Sequence, residues 1–357
     1  MRSPGCPEGA MESQPARASQ TKGIRLRWIA LLAMGIVVLL AAIGISYQAI
    51  EARADARRFH QAGKSVDVGG YKLNIDCTGE GSPTVVLVSG LGVPATGWRL
   101  VQPGIARFTR VCSYDRAGYG WSDPGPMPRT LSQLARELHA LLENAGEKPP
   151  YILVGHSFGK GSALVYSKLY PDEVAGMVLA EGGPNKLKLP ASILAPAEAD
   201  LRRRQRDRTY ASVLYFFGIS RFLARKDIEG VGEPTDDQEW SYHAIQPKFI
   251  RATTSEVEEQ FAGDSEAELA GVPTLGDKPL AVLIAGKGMW GLPLTSQDWI
   301  DLRKTWVDGQ IQLAEHLSSR GKWLIVPDSS HMIPEERPEA IVDAVREVCA
   351  DAARRND

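Results

Sequence analysis

Apolar positions along the chain fall into two alternating rhythms. Short, nearly continuous apolar runs are separated by segments in which apolar residues recur every three or four positions. The runs at Thr84 to Ser89, Arg110 to Asp115, Tyr151 to His156, Val174 to Ala180, Leu280 to Ala285 and Lys322 to Val326 are too short for helices and read as buried strands. Val66 to Cys77 alternates instead, and Gly69-Gly70 in its middle predicts a hairpin turn. Between the runs, Leu131, Leu134, Leu138, Leu141 and Leu142 repeat at helical spacing after a capping box at Thr130 and Gln133, and stop before Gly146 and Pro149. Ala163 to Leu169 and the stretch after Pro338, with Ile341, Val342 and Val345, have the same spacing. Strands alternating with helices in this way predict a mostly parallel sheet covered on both faces.

Two segments depart from the rhythm. Between Pro184 and Gly276 the strand signal lapses for about 90 residues, too long for a plain loop, which predicts an inserted helical cap over 184–275 between core halves 65–183 and 276–357. In the cap, Tyr215, Phe216, Phe217 and Phe222 read as the cap's own core or as the lining of an apolar acyl site. Arg202, Arg203, Arg204, Arg206 and Arg208 read as a solvated helix face, with contact to anionic lipid as the alternative. The second departure runs from Trp28 to Ile50, 23 uncharged residues long enough as a helix to cross about 30 Å of hydrocarbon. This predicts a single transmembrane anchor over 28–50, preceded by a disordered tail over 1–27 and followed by a linker over 51–64. Lys22, Arg25 and Arg27 precede it, so the positive-inside rule puts the following domain on the extracytoplasmic side, although Arg53, Arg57, Arg58 and Lys64 weaken the asymmetry. The run is long for a cleaved signal peptide and no small-x-small site closes it.

Composition narrows the picture further. A chain of 357 residues with 43% hydrophobic content can bury a large core, and a net charge of -2 gives no basic excess for a nucleic-acid partner. Four cysteines, Cys6, Cys77, Cys112 and Cys349, are too few for a disulfide scaffold and lack metal-ligand spacing.

The chemistry concentrates at Gly155-His156-Ser157-Phe158-Gly159, directly after an apolar run and before a helical one. A strand turning sharply into a helix strains its turning residue, and flanking glycines leave room for that turn. Ser157 is thereby exposed at a strand's carboxyl end, beside a helix N-terminus whose free N–H groups can face a developing oxyanion. A hydroxyl attacks a carbonyl only when a base takes its proton, so a histidine is required. Of the six present, His156 adjoins the serine, but neighbours on a strand point to opposite faces. His60, His139, His243 and His316 read as solvated or structural.

Four motifs in order complete the pattern: Ser89-Gly90-Leu91-Gly92, Tyr114 to Ser122 (YDRAGYGWS), Gly155 to Gly159, and Ser330-His331. Over residues 65 to 350 the chain resembles the α/β-hydrolase superfamily. The resemblance implies an eight-stranded, mostly parallel sheet with helices on both faces and a helical cap. It also implies a serine hydrolase, esterase- or lipase-like, acting on a small ester or acyl substrate without metal or organic cofactor. His331, just past the last strand, is then the base. The acid departs from the commonest pattern, since no carboxylate follows Leu280 to Ala285 before Asp298. Other members carry it after the strand that follows the nucleophile helix, which here ends at Glu181. Glu181 is therefore the first choice, Asp298 the second, and Asp328 lies too close to the base in sequence. Backbone N–H groups of Leu91 and Phe158 are the implied oxyanion donors. Lys160 is expected to run along the helix surface, with tuning of the electrostatics near Ser157 as the alternative, and Asp115 and Arg116 to hold a turn. The superfamily's strand order also sets Cys77 beside Cys112, which allows a disulfide in an oxidising compartment. A proline-releasing peptidase or carbon-carbon bond hydrolase could use the same residues, and a non-catalytic binding or sensor protein could keep the fold.

Overall fold

The computed structural model describes residues 17–183, 191–230, 233–262, 264–287 and 297–356. Eight strands form one sheet: β1 (Lys64–Asp67), β2 (Lys72–Thr78), β3 (Thr84–Val88), β4 (Val111–Tyr114), β5 (Tyr151–His156), β6 (Val174–Ala180), β7 (Leu280–Ala285) and β8 (Gly321–Val326). Their spatial order is β1-β2-β4-β3-β5-β6-β7-β8; β2 pairs antiparallel with both of its neighbours, and every pair from β4 to β8 is parallel. Successive side chains on a strand point to opposite faces, so the continuous apolar runs supply two cores at once. Val86, Leu153 and Leu179 face one core, together with the helices Leu131–Ala145 and Gly159–Leu169. Val85, Ile152 and Val178 face the other, against Ile341, Val345 and Val348 of the closing helix Pro338–Asn356. The edge strand β8 keeps Trp323, Leu324 and Ile325 largely exposed.

Local signals are realised with small differences. The hairpin turns through Gly69 and Gly70, both at positive φ, and pairs Asp67 with Lys72. Thr130 caps its helix by accepting from the Gln133 N–H, but the Gln133 side chain bonds Glu137 instead of returning to the cap, so the box is one-sided. Between β6 and β7, the described residues form five helices: Ala191–Phe216, Ile219–Ile228, Asp236–Ala244, Pro247–Ala262 and Asp264–Leu269. Phe216 and Phe222 on these helices are 57% and 53% exposed, so they belong neither to a cap core nor to an enclosed acyl site. The arginine cluster is an ion-paired surface: Arg203 and Arg204 bond Asp200, Arg208 bonds Glu258, and Arg206 lies by Asp207.

The N-terminal helix, Arg17–Arg58, is longer than its apolar centre. It is long and apolar enough to cross a membrane, and none of its apolar window is buried against the domain. It also continues through 51–58, where the sequence reading set a linker, and begins within the expected tail. Charges at 51–58 do not end it because partners meet them: Asp55 pairs with Arg221 at 3.1 Å, and Arg58 donates to the Ile228 carbonyl and to Gln238, both at 2.7 Å.

Cys77 and Cys112 lie opposite each other on β2 and β4 and are joined by a disulfide. Glu147 completes the one group of potential metal donors found among the described residues, but the bond consumes both thiols and Glu147 is held by Arg110. Cys349 stays a thiol, with burial pushing its pKa up to about 11.

Candidate active site

Three side chains converge at the carboxyl ends of β5, β6 and β8. Ser157 follows β5 with φ of 52°, in the left-handed region that disfavours side-chain-bearing residues, and its N–H donates to the Ala180 carbonyl at 3.0 Å. The glycines around it are required by space. A Cβ on Gly159 would lie 2.2 Å from the Val88 carbonyl oxygen, and one on Gly155 would lie 2.9 Å from the Lys160 backbone. The Ser157 hydroxyl sits 2.9 Å from His331 Nε2. His331 Nδ1 faces Glu181 Oε2 at 3.4 Å.

Glu181 is fully buried and itself has φ of 51°. Four donors surround its carboxylate: the Ala285 N–H at 2.7 Å, Trp306 Nε1 at 2.9 Å, Gln310 Nε2 at 3.4 Å and His331. Burial alone would raise its pKa, but the hydrogen bonds from His331 and Ala285 outweigh that and hold it below the ordinary value. A carboxylate kept charged against the imidazole can fix its tautomer and stabilise the imidazolium. Asp298, the second choice, is exposed and bonded to Ser192, and the structure does not bring it to His331. Asp328 is also outside the group, paired with Arg337 at the surface.

The loop after β3 approaches the elbow closely. A Cβ at Gly90 would meet Ser157 Cβ at 3.3 Å and His156 Nδ1 at 3.2 Å, so glycine is what lets this loop pass so near the elbow. Phe158 opens the helix Gly159–Leu169 from the N-cap position. Arg116 holds this loop, a wider role than holding its own turn. Its guanidinium donates to the carbonyls of Ser89 at 2.6 Å and Gly90 at 2.9 Å, and pairs with the fully buried Glu256 of the cap helix Pro247–Ala262. Tyr119 donates to the same carboxylate and accepts from the Gly92 N–H. Asp115 serves the turn as expected, accepting from the N–H groups of Trp121 and Ala95.

The His156 ring bonds elsewhere than to Ser157, and it has a part in the geometry. Its Nε2 donates to the His331 carbonyl at 2.8 Å, tying β5 to the loop that carries the imidazole. Burial, then the neighbouring His331 ring, lowers its pKa to about 4, so it stays neutral. Glu336 steadies the same loop by accepting from both the N–H and the hydroxyl of Ser330. No sequence motif marks Glu256, Trp306 or Gln310, because each reaches the site from a helix distant in sequence.

Lys160 corrects the sequence reading. It is buried, not laid along a helix surface, and its Nζ donates to the Gly183 carbonyl at 2.9 Å while its stem packs against Gly182. Burial lowers its pKa to about 7. The lysine thus ties the helix after Ser157 to the segment that leaves Glu181. The remaining four described histidines lie elsewhere, His60 exposed after the N-terminal helix, His139 stacked on Tyr170, His243 against Trp121 and His316 on the Gln312 carbonyl.

The chain belongs to the Alpha/beta hydrolase family, whose model matches residues 85–344. An uncharacterized Bacillus subtilis protein, YbdG, is 28% identical over 158 residues, 43% of this chain and 49% of that protein. A 2-hydroxy-6-oxononadienedioate/2-hydroxy-6-oxononatrienedioate hydrolase of Cupriavidus pinatubonensis is 35% identical over 142 residues, 37% of this chain and 49% of the relative. The chain thus spans about half the length of these curated relatives. Among solved structures, an epoxide hydrolase, CorEH, superposes with a TM-score of 0.61 at 18% identity, covering 80% of this chain and 98% of that one. At that identity the likeness is one of fold.

Proposed function

We propose, from membership of the hydrolase family and the residues gathered at the strand ends, that this protein is a serine hydrolase cleaving a carboxylic ester or related acyl substrate. The observation that carries the reading is the relay from the Ser157 hydroxyl to His331 at 2.9 Å and on to the buried Glu181 carboxylate. His331 Nε2 takes the hydroxyl proton as Ser157 Oγ bonds to the acyl carbon, and Glu181 stabilises the imidazolium through Nδ1–H. The carbonyl electrons move onto oxygen, where the N–H groups of Leu91 and Phe158 receive them. Collapse of this intermediate expels the alcohol, which leaves with the proton from Nε2 and gives an acyl-enzyme. Water, deprotonated by His331, then attacks the acyl carbon and releases the acid and Ser157.

The N-terminal helix suits a single-pass anchor, with the hydrolase domain outside the cytoplasm. Two observations support that side: the cations that precede the apolar run, and the Cys77–Cys112 disulfide, a bond that persists in oxidising compartments. A second reading, carbon-carbon bond hydrolysis by the same residues, is favoured by the similarity to the Cupriavidus hydrolase.

Fluorophosphonate labelling of the full-length protein tests the nucleophile. Wild type should label and Ser157→Ala should not; an unlabelled, folded wild type would remove the proposal. Turnover of p-nitrophenyl acyl esters against vinylogous diketone acids then separates the two readings.

A further inference from the structure

From Ala41 to Arg58 the positions that the N-terminal helix does not leave exposed recur every three or four residues, forming a stripe along one side. The cap covers that stripe. At its membrane end two glycines allow backbone contact: a Cβ on Gly44 would lie 2.3 Å from the Phe217 carbonyl oxygen, and one on Gly218 would lie 2.8 Å from the Gly44 carbonyl oxygen. Gly218 also has φ of 70° and caps the start of the helix Ile219–Ile228. Farther along, buried Arg221 meets Asp55 and Glu51, and Arg58 meets the Ile228 carbonyl. The helix Ile219–Ile228 therefore lies alongside the N-terminal helix from Gly44 to Arg58, with the corner Phe217-Gly218 at its membrane end.

Gly44 lies inside the uncharged run that ends at Ile50, six residues from its close. At 1.5 Å per residue the cap corner sits about 9 Å inside that end of the run. The side chains flanking the corner match such a level. Val213, Phe216, Ile219, Phe222 and Leu223 are 53%, 57%, 43%, 53% and 73% exposed, although all are large and apolar. Their position beside a membrane-spanning helix gives them a solvent other than water, and a depth of about 9 Å is that of an interfacial element at the boundary of headgroups and acyl chains. Arg225 stacks over the Phe222 ring at 4.7 Å, placing a cation beside the apolar group.

We propose that the Phe217-Gly218 corner of the cap is inserted in the leaflet on the domain's own side, with lipid acyl chains covering Phe216, Ile219, Phe222 and Leu223. The proposal rests on the reading that the helix Arg17–Arg58 spans the membrane. It fixes the cap at the surface of the bilayer.

The test uses the full-length protein in phosphatidylcholine nanodiscs, with Cys6→Ser and Cys349→Ser and the disulfide kept. An environment-sensitive fluorophore is attached at Phe216→Cys, Leu223→Cys, Ile36→Cys in the apolar run, or Arg206→Cys on the cap's ion-paired face. These sites are exposed, so labelling removes no core contact. With acyl-chain-brominated lipid, positions 36, 216 and 223 should lose roughly half their emission while 206 keeps its own. Quenching at 36 with none at 216 and 223 would overturn the cap insertion and leave the anchor standing. No quenching at 36 would overturn the anchor and the insertion with it. Equal quenching at 206 and 223 would overturn insertion by the corner.

Discussion

Ser157 and Glu181 leave neighbouring parallel strands side by side in the same left-handed conformation, at φ of 52° and 51°, and they are the two non-glycine described residues that do so. The pairing of His156 with Ala180 sets this register, and the Ser157 N–H continues it to the Ala180 carbonyl. Each left-handed residue costs on the order of 1–3 kcal/mol, which the surrounding packing must offset. Both costs fall where a strand ends and a side chain must be turned towards His331. Strain placed twice at the same rim suits orientation of reacting groups more than it suits folding.

Glu181→Gln should lower kcat on a p-nitrophenyl ester by about 10²- to 10⁴-fold with little change in KM. Glutamine has the same shape but offers one acceptor oxygen and an NH₂ to a site with four donors, so the imidazole loses the charge that stabilises it. Asp298→Asn should stay within about two-fold of wild type, as expected for an exposed surface carboxylate. Steady-state kinetics of both variants decide the matter. An equal loss in Asp298→Asn would reassign the acid.

Arg116 should position the Leu91 N–H through the peptide that joins Gly90 to Leu91. A trans peptide points its C=O and N–H in opposite directions, so holding the Gly90 carbonyl at 2.9 Å fixes the direction of the Leu91 donor. Arg116→Met alone leaves the buried Glu256 without its cation, with the Tyr119 hydroxyl still donating to it, and should destabilise by about 3–5 kcal/mol. Arg116→Met combined with Glu256→Met should recover most of that stability yet keep kcat depressed by roughly 10- to 100-fold, since the carbonyl is still not held. Chemical denaturation and kinetics on the two variants separate the effects. A double variant with wild-type kcat would show that the loop needs no brace.

His156 should impose a pH dependence on stability. Its pKa is lowered from 6.5 to about 4 in the fold, so between those values the unfolded chain binds a proton that the folded one refuses. Stability from this group is full above about pH 6.5 and falls as the pH drops towards 4, by about 3 kcal/mol in all. Glu181 acts in a lower window: its depressed pKa contributes stability that is lost only as the pH falls below its ordinary value of 4.5. His156→Gln keeps a donor for the His331 carbonyl without titrating, and should flatten the profile between pH 6.5 and 4. Urea midpoints measured across that range check it; parallel profiles for variant and wild type would refute the assignment.

Strand runs, the elbow and the end of β6 were legible because each is a local pattern: short continuous apolar runs, glycines around a serine, a carboxylate at a strand terminus. Lys160 was not, because the helix Gly159–Leu169 is enclosed on all sides, with every residue from Gly159 to Ser167 buried, and one sequence cannot tell an enclosed helix from one with a solvent face. The helical course of 51–58 was hidden for a related reason. Its charges look like an end to apolar structure until Arg221 and Gln238, about 170 to 180 residues away, are folded against them. Glu256 reaches Arg116 across a sequence separation of 140 residues, and no spacing rule connects the two.

The Cys77–Cys112 bond closes a sequence separation of 35 residues across the antiparallel pair β2 and β4. Loop-closure entropy assigns such a crosslink about 3–4 kcal/mol, by restricting the unfolded chain. Cys77→Ser with Cys112→Ser should lower the urea midpoint accordingly while leaving Ser157 labelling intact in the folded protein, because the bond lies two strands from the elbow. In protein isolated from native membranes, alkylation without reductant should spare both cysteines, and alkylation after reduction should modify both. Since glutathione keeps cytosolic thiols reduced, the same measurement bears on topology. Free Cys77 and Cys112 in the native protein would remove the support that the disulfide gives to an extracytoplasmic domain, leaving the cations before Trp28 as its only basis.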